Sequence, residues 1–211
     1  PQGDANFEGI TFEIINNSRN PVIVEGQKYQ PGEVVKTLVT DSEGKASTAD
    51  DLLPYGEYIL HESATNESML LTAPDQTVLV EDDGIIHEFV MADEVVRGGV
   101  LIEKRDLESG LLTPLGGASL DGTLFEITNK SINAVYVGGA LYQPGEVCAT
   151  IEVVDGIAQT DARALPYGTY QMVEIKPGEG YLHTDQIVRS FQIRKDGEII
   201  EFRDGDAAYN Q

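Results

Sequence analysis

The sequence predicts an all-β protein built as two tandem β-sandwich domains, the first lacking its N-terminal strand. Three observations carry this. Two stretches of the chain repeat one another, apolar and polar residues alternate along short runs, and Gly or Pro pairs punctuate those runs.

The repeat is the strongest signal. Phe12-Glu13-Ile14 recurs as Phe125-Glu126-Ile127, and Tyr29-Gln30-Pro31-Gly32-Glu33-Val34 recurs as Tyr142-Gln143-Pro144-Gly145-Glu146-Val147. Both lie 113 positions apart (125 minus 12, 142 minus 29). Leu53-Pro54-Tyr55-Gly56 with Tyr58 and Glu62 returns one residue early, as Leu165-Pro166-Tyr167-Gly168 with Tyr170 and Glu174. The original spacing resumes at Asp83-Gly84 and Phe89, matching Asp196-Gly197 and Phe202. Pro1 pairs with Pro114, so the first copy has no counterpart of residues 99–113. The expected organisation is therefore a repeat over residues 1–93, a linker over 94–98, a complete repeat over 99–206, and the start of a further linker at 207–211.

Within the complete copy, alternation with period two outweighs any helical period. Candidate strands are Val100–Arg105, Thr123–Thr128, Ala134–Gly138, Val147–Val154, Gly168–Glu174, Ile187–Arg194 and Glu198–Arg203. Turn pairs such as Asp121-Gly122, Pro144-Gly145, Asp155-Gly156 and Asp196-Gly197 separate them. Seven short strands in about 105 residues fit two packed sheets.

Composition narrows the function. Thirty-six acidic residues against 14 basic ones leave a net charge of −22, which repels nucleic acid and anionic membranes. The acids are dispersed and form no calcium-loop pattern. Cys148 is the sole cysteine, so neither an intrachain disulfide nor a thiolate metal cluster can form. His61, His87 and His183 do not cluster, and no phosphate loop or nucleophile elbow is present. No cofactor or metal is expected.

Strand phase supplies the chemical clue. Val100 and Ile102 share a face with Lys104, Tyr170 and Met172 with Glu174, and Ile200 and Phe202 with Asp204. Three charged residues thus fall on core-facing positions near strand ends. Buried charges are costly in isolation, so the three make sense only together. In an apolar core the lysine would be driven neutral and the carboxyls protonated, the states in which an amine can attack a carboxyl carbon. Phase alone leaves two outcomes open, a buried ion pair or a Lys104–Asp204 amide.

Val100-Leu101-Ile102-Glu103-Lys104-Arg105-Asp106, then Gly116-Gly117-Ala118, then Phe125-Glu126-Ile127 resembles the opening of collagen-adhesin B-type, SpaA-like repeats. Leu165-Pro166-Tyr167-Gly168, Tyr170 and Glu174 resemble their proline-glycine turn and glutamate strand. The resemblance implies an immunoglobulin-like, prealbumin-like sandwich from Gram-positive pilins and surface adhesins. It also implies an isopeptide bond between Lys104 and Asp204 assisted by Glu174, with Asp206 as the fallback partner. The family partner is often asparagine, from which Asp204 departs.

The first copy departs further. Its lysine strand is absent, Met91 stands at the position of Asp204, and Glu62 is retained. Asp93 serves only if the register slips, so no internal crosslink is expected there. The missing strand implies an open sheet edge at which a neighbouring chain adds.

The remaining residues read as structural. Cys148 aligns with Val35 and reads as a small apolar residue, and Tyr29 and Tyr142 read as packing for the turns they precede. The Asn-x-Ser triplets at Asn16, Asn66 and Asn129 read as incidental. The leading expectation is a non-enzymatic, monomeric stalk spacer on a bacterial cell wall, its partners being neighbouring repeats and, at a distal tip, a host protein or glycan. The alternative is an adhesin module that binds such a ligand itself, which requires an exposed aromatic or apolar patch differing between the copies.

Overall fold

A computed structural model describes residues 1–182 and 188–202. The chain forms two compact units. The first unit is Asn6–Glu94, and the second joins Pro1–Ala5 with the chain from Val95 onward. The division beside residue 94 falls at the expected linker. The placement of Pro1–Ala5 differs from the expected span of 1–93, because hydrogen bonds tie this segment to residues 132–136 and 167–169.

The first unit contains β1 (Thr11–Asn16), β2 (Val22–Val24), β3 (Gln27–Tyr29), β4 (Val34–Val39), β5 (Gly56–Ala64), β6 (Met69–Leu70) and β7 (Gln76–Val80). β8 (Glu94–Val95) lies at the division between the units. An antiparallel sheet runs β4-β1-β5-β7, with β2 and β3 forming a hairpin. No strand forms over 81–93.

The second unit contains β9 (Arg97–Glu103), β10 (Leu124–Asn129), β11 (Val135–Val137), β12 (Ala140–Tyr142), β13 (Val147–Glu152), β14 (Ile157–Gln159), β15 (Leu165–Pro166), β16 (Gly168–Lys176), β17 (Val188–Ile193) and β18 (Ile199–Phe202). Its main sheet, β13-β10-β16-β17, repeats the order seen in the first unit. The second sheet is built on β9, which pairs antiparallel with β14 and β15 and parallel with β18. Every expected strand is present within a few residues. The short β12, β14 and β15 were not foreseen.

The second sheet decides how much each unit buries. Ile14, Val22, Val24, Val35 and Tyr58 form the core of the first unit. Their repeat counterparts Ile127, Val135, Val137, Cys148 and Tyr170 lie in a larger core with Val100, Ile102, Phe125, Phe191 and Ile193. Phe125 is fully buried whereas Phe12 is half-buried. In the first unit Ile85, Ile86 and Val90 are exposed.

Candidate functional site

The cluster sits between the two sheets of the second unit. On β9, Val100, Ile102 and the following Lys104 face inward and are essentially inaccessible. On β16 the same holds for Tyr170, Met172 and Glu174. The structure brings Lys104 and Glu174 together: Lys104 Nζ donates to Glu174 Oε2 at 2.9 Å, with side-chain exposures of 1% and 4%. A charge pair so withdrawn from water is held by its mutual attraction and by the surrounding strands.

The third member lies outside the described residues, as do the fallback Asp206 and His183. β18 nevertheless fixes the local register. It runs parallel to β9 with Ile200 opposite Val100 and Phe202 opposite Ile102. Phe202 packs against the core and meets Phe191 edge-on at 6.0 Å. Asp204 follows Phe202 by the same two positions by which Lys104 follows Ile102.

Asp106, just beyond Lys104, was not singled out from the sequence. Its carboxylate accepts from Ser109 N at 2.8 Å and from the Tyr181 hydroxyl at 2.8 Å. The Ser109 amide and the Tyr181 hydroxyl hold its proton affinity below the ordinary carboxylate range. Burial, together with the acceptor on Asp106, pushes the Tyr181 hydroxyl up to about 12. This pair pins the loop that follows Lys104.

In the first unit no lysine among the described residues bonds the corresponding glutamate. Glu62 is 2% exposed, and no hydrogen-bond donor among the described residues reaches either of its carboxylate oxygens. Burial, with the neighbouring Asp93 carboxyl, raises its pKa to about 7. Two carboxylates cannot bond each other, so this contact becomes a hydrogen bond only when one of them carries a proton. The residue beside Glu62 is thus Asp93, which was expected to serve only if the register slips. The reason is local: no ladder fixes the register of 81–93, and Asp93 Oδ1 caps Thr72 N at 3.1 Å and Ala73 N at 2.9 Å.

The other weighed residues are structural. Cys148 is buried, its thiol pushed up to about 11 by desolvation, and its Sγ donates to Ile127 O at 3.4 Å. Tyr29 and Tyr142 pack against the cores. Asn16 and Asn129 are fully buried. Each amide donates to two carbonyls, Asn20 and Tyr29 in one copy and Asn133 and Tyr142 in the other. They are latches for the β2–β3 and β11–β12 hairpins, a role that motif reading of the triplets misses. His61 meets Asp75 at 2.7 Å, and His87 is exposed.

Comparison with known proteins gives a consistent picture. The family model described as the SpaA prealbumin-like fold domain matches residues 2–95 and 114–206. No curated protein matches. Among solved structures, the Bacillus anthracis TIE protein superposes with a TM-score of 0.57 at 24% identity, over 96% of this chain and 31% of that one. The chain therefore spans about a third of that protein. A streptococcal ancillary pilin (TM-score 0.33, 24% identity, 93% of this chain and 56% of that one) is also similar. So is the shaft pilin SpaA of Lactobacillus rhamnosus GG, in its D295N form (TM-score 0.35, 16% identity, 96% and 95%). With both copies matched and the strand order repeated between them, the chain belongs to the SpaA prealbumin-like fold domain family, present here as two tandem copies.

Proposed function

We propose that this chain is a spacer segment of a stalk on the surface of a Gram-positive cell, with its second unit stiffened by a Lys104–Asp204 amide. The observation that carries this reading is the buried Lys104–Glu174 pair beside the parallel β9–β18 ladder. A lysine in an apolar core has no substrate to reach, and its chemistry is confined to its immediate neighbours. Lys104 passes a proton to Glu174, and the freed amine attacks the carbon of the protonated Asp204 carboxyl, forming the C–N bond. Glu174 relays a proton from the nitrogen to the departing oxygen, which leaves as water. The product is neutral, so it removes the cost of two buried charges and ties the first strand to the last. No disulfide can do this in a chain with one cysteine.

The test is the intact mass of the denatured protein beside that of Lys104→Ala. The expected result is a parent mass one water below the sequence value and a variant mass equal to its own sequence value. Full sequence mass in both overturns the crosslink and leaves an ion-pair cluster. A second reading, an adhesin module that binds a ligand directly, draws on one observation: Tyr55 is 73% exposed in the first unit whereas its counterpart Tyr167 is 6% exposed.

A further inference from the structure

The same end of the repeat is built differently in the two units. On the second unit Pro1–Ala5 lies along it as a tight turn at Gly3-Asp4, closed by Ala5 N donating to Gln2 O at 3.1 Å. Gly3 N donates to Ala134 O at 3.0 Å, Asn133 N donates to Gly3 O at 2.9 Å, and Asp4 N donates to Tyr167 O at 3.0 Å. Asn133 Nδ2 also donates to Gly3 O at 3.0 Å, and Tyr136 N donates to the Gln2 side chain at 3.0 Å. Gly3 has φ +63°, and a Cβ there would stand 2.1 Å from Tyr167 O, so the position admits only glycine. The Asp4 carboxylate accepts from Ile132 N, Thr169 Oγ1 and Arg194 at 3.0, 2.7 and 3.0 Å. Arg194 in turn stacks on the Tyr167 ring, 4.4 Å from its centroid.

The first unit carries the same backbone frame without such a segment of its own. Arg19, Asn20, Pro21, Ile23 and Tyr55 stand where the second unit has Ile132, Asn133, Ala134, Tyr136 and Tyr167. They border a cleft of about 380 Å³ lined by residues 17–22, Tyr55, Gly56, Glu57 and Leu79. Tyr55 and Leu79 are exposed there at 73% and 47%. The residues that would meet the side chain after the glycine have turned from neutral and cationic to anionic: Glu57 replaces Thr169 and Glu81 replaces Arg194. Sheet register supports both equivalences, since Gly56 pairs with Val80 as Gly168 pairs with Ile193. Asn17 Nδ2 donates to Glu57 Oε1. Arg19 and Glu57 both line the cleft, and Glu81 follows Val80, the strand partner of Gly56.

We propose that this cleft of the first unit docks a peptide turn from a neighbouring domain, with a glycine at the pivot followed by lysine or arginine. Asn20 and Pro21 take the backbone on either side of the glycine, Tyr55 covers it, and Glu57 with Glu81 receives the cation. The frame is the one that already holds Gln2-Gly3-Asp4, with the charge selection reversed. Acidic segments are rejected here by like-charge contact. The inference does not depend on the Lys104 crosslink.

The test is amide chemical-shift titration of the ¹⁵N-labelled full chain with two blocked pentapeptides, Pro-Gln-Gly-Lys-Ala and Pro-Gln-Gly-Asp-Ala. The expected result is saturable shifts at Asn20 and Tyr55–Glu57 with the lysine peptide at millimolar concentration, and at least tenfold weaker response to the aspartate peptide. Tyr55→Ala, at an exposed position that leaves the fold intact, should weaken binding at least fivefold. The double variant Glu57→Thr, Glu81→Arg should reverse the preference. No saturable shift at these amides, shifts centred elsewhere, or equal response to both peptides overturns the proposal. The mass measurement reads the crosslink separately, so either idea can fail alone.

Discussion

The two units share a main sheet, a hairpin latch and a tyrosine whose hydroxyl donates to a carbonyl four residues back, yet differ in everything that depends on β9. In the second unit β9 supplies Lys104 to Glu174 and closes the core with Val100 and Ile102. In the first, Glu62 occupies the same buried position beside Asp93, with no cation and with apolar residues of 85–90 exposed. Among the described residues Glu174 has a cationic partner and the carboxylate oxygens of Glu62 have no donor.

This contrast breaks most sharply at Lys104. Lys104→Ala strips the buried Glu174 of its partner, and breaking such a pair costs about 3–5 kcal/mol. Calorimetry should show the transition of the second unit falling by about 15 °C or more, with the transition of the first unit unmoved. Equal displacement of both would show that the units do not melt independently.

The next effect belongs to Glu62 and depends on pH. Its pKa is raised from an ordinary 4.5 to about 7 in the folded unit, so the folded state binds the proton more tightly than the unfolded chain. The stabilisation this gives is fully present below pH 4.5 and is lost as pH rises through 7. Denaturant melts between pH 5 and 8 should show the first unit losing up to about 3 kcal/mol. Glu62→Gln should flatten that slope, and a slope unchanged in the variant would assign it to other groups.

A smaller difference separates the two tyrosines at the unit ends. Tyr167→Ala removes a buried ring and its contact with Arg194, at about 2–3 kcal/mol. Tyr55→Ala should stay within about 0.5 kcal/mol, as expected of an exposed side chain. Comparable losses would mean that Tyr55 is covered in solution.

The smallest effect is one in which the copies should agree. Tyr58 and Tyr170 each donate to the carbonyl of a proline, Pro54 at 2.9 Å and Pro166 at 2.8 Å. Tyr58→Phe and Tyr170→Phe should each cost about 1 kcal/mol by urea melts. Unequal costs would show that the missing sheet reaches into the shared frame.

Much of this architecture was legible in the residues because period two is a direct projection of the pleat. Lys104, Glu174 and their apolar neighbours announced a shared face, and the structure brings the two together. The strands of two or three residues, β12, β14 and β15, carry too few positions for alternation to register. Asp93 was named from the sequence only as a partner under a register slip. The repeat register puts Met91 at the partner position, but a segment with no ladder is placed by its hydrogen bonds to Thr72 and Ala73. The docking of Pro1–Ala5 was equally hidden, since its partners lie 128 to 190 positions away and several are backbone groups, which carry no sequence signature.

The parallel pairing of β9 with β18 carries a mechanical consequence. The two strands enter and leave the second unit in the same direction, so tension applied before β9 and after β18 slides one along the other. The paired residues from Ile199–Gly99 to Phe202–Ile102 must then yield together, whereas an antiparallel pair pulled from one end peels open one rung at a time. The geometry makes the weakest direction of a β-sheet unavailable to a pull along the chain.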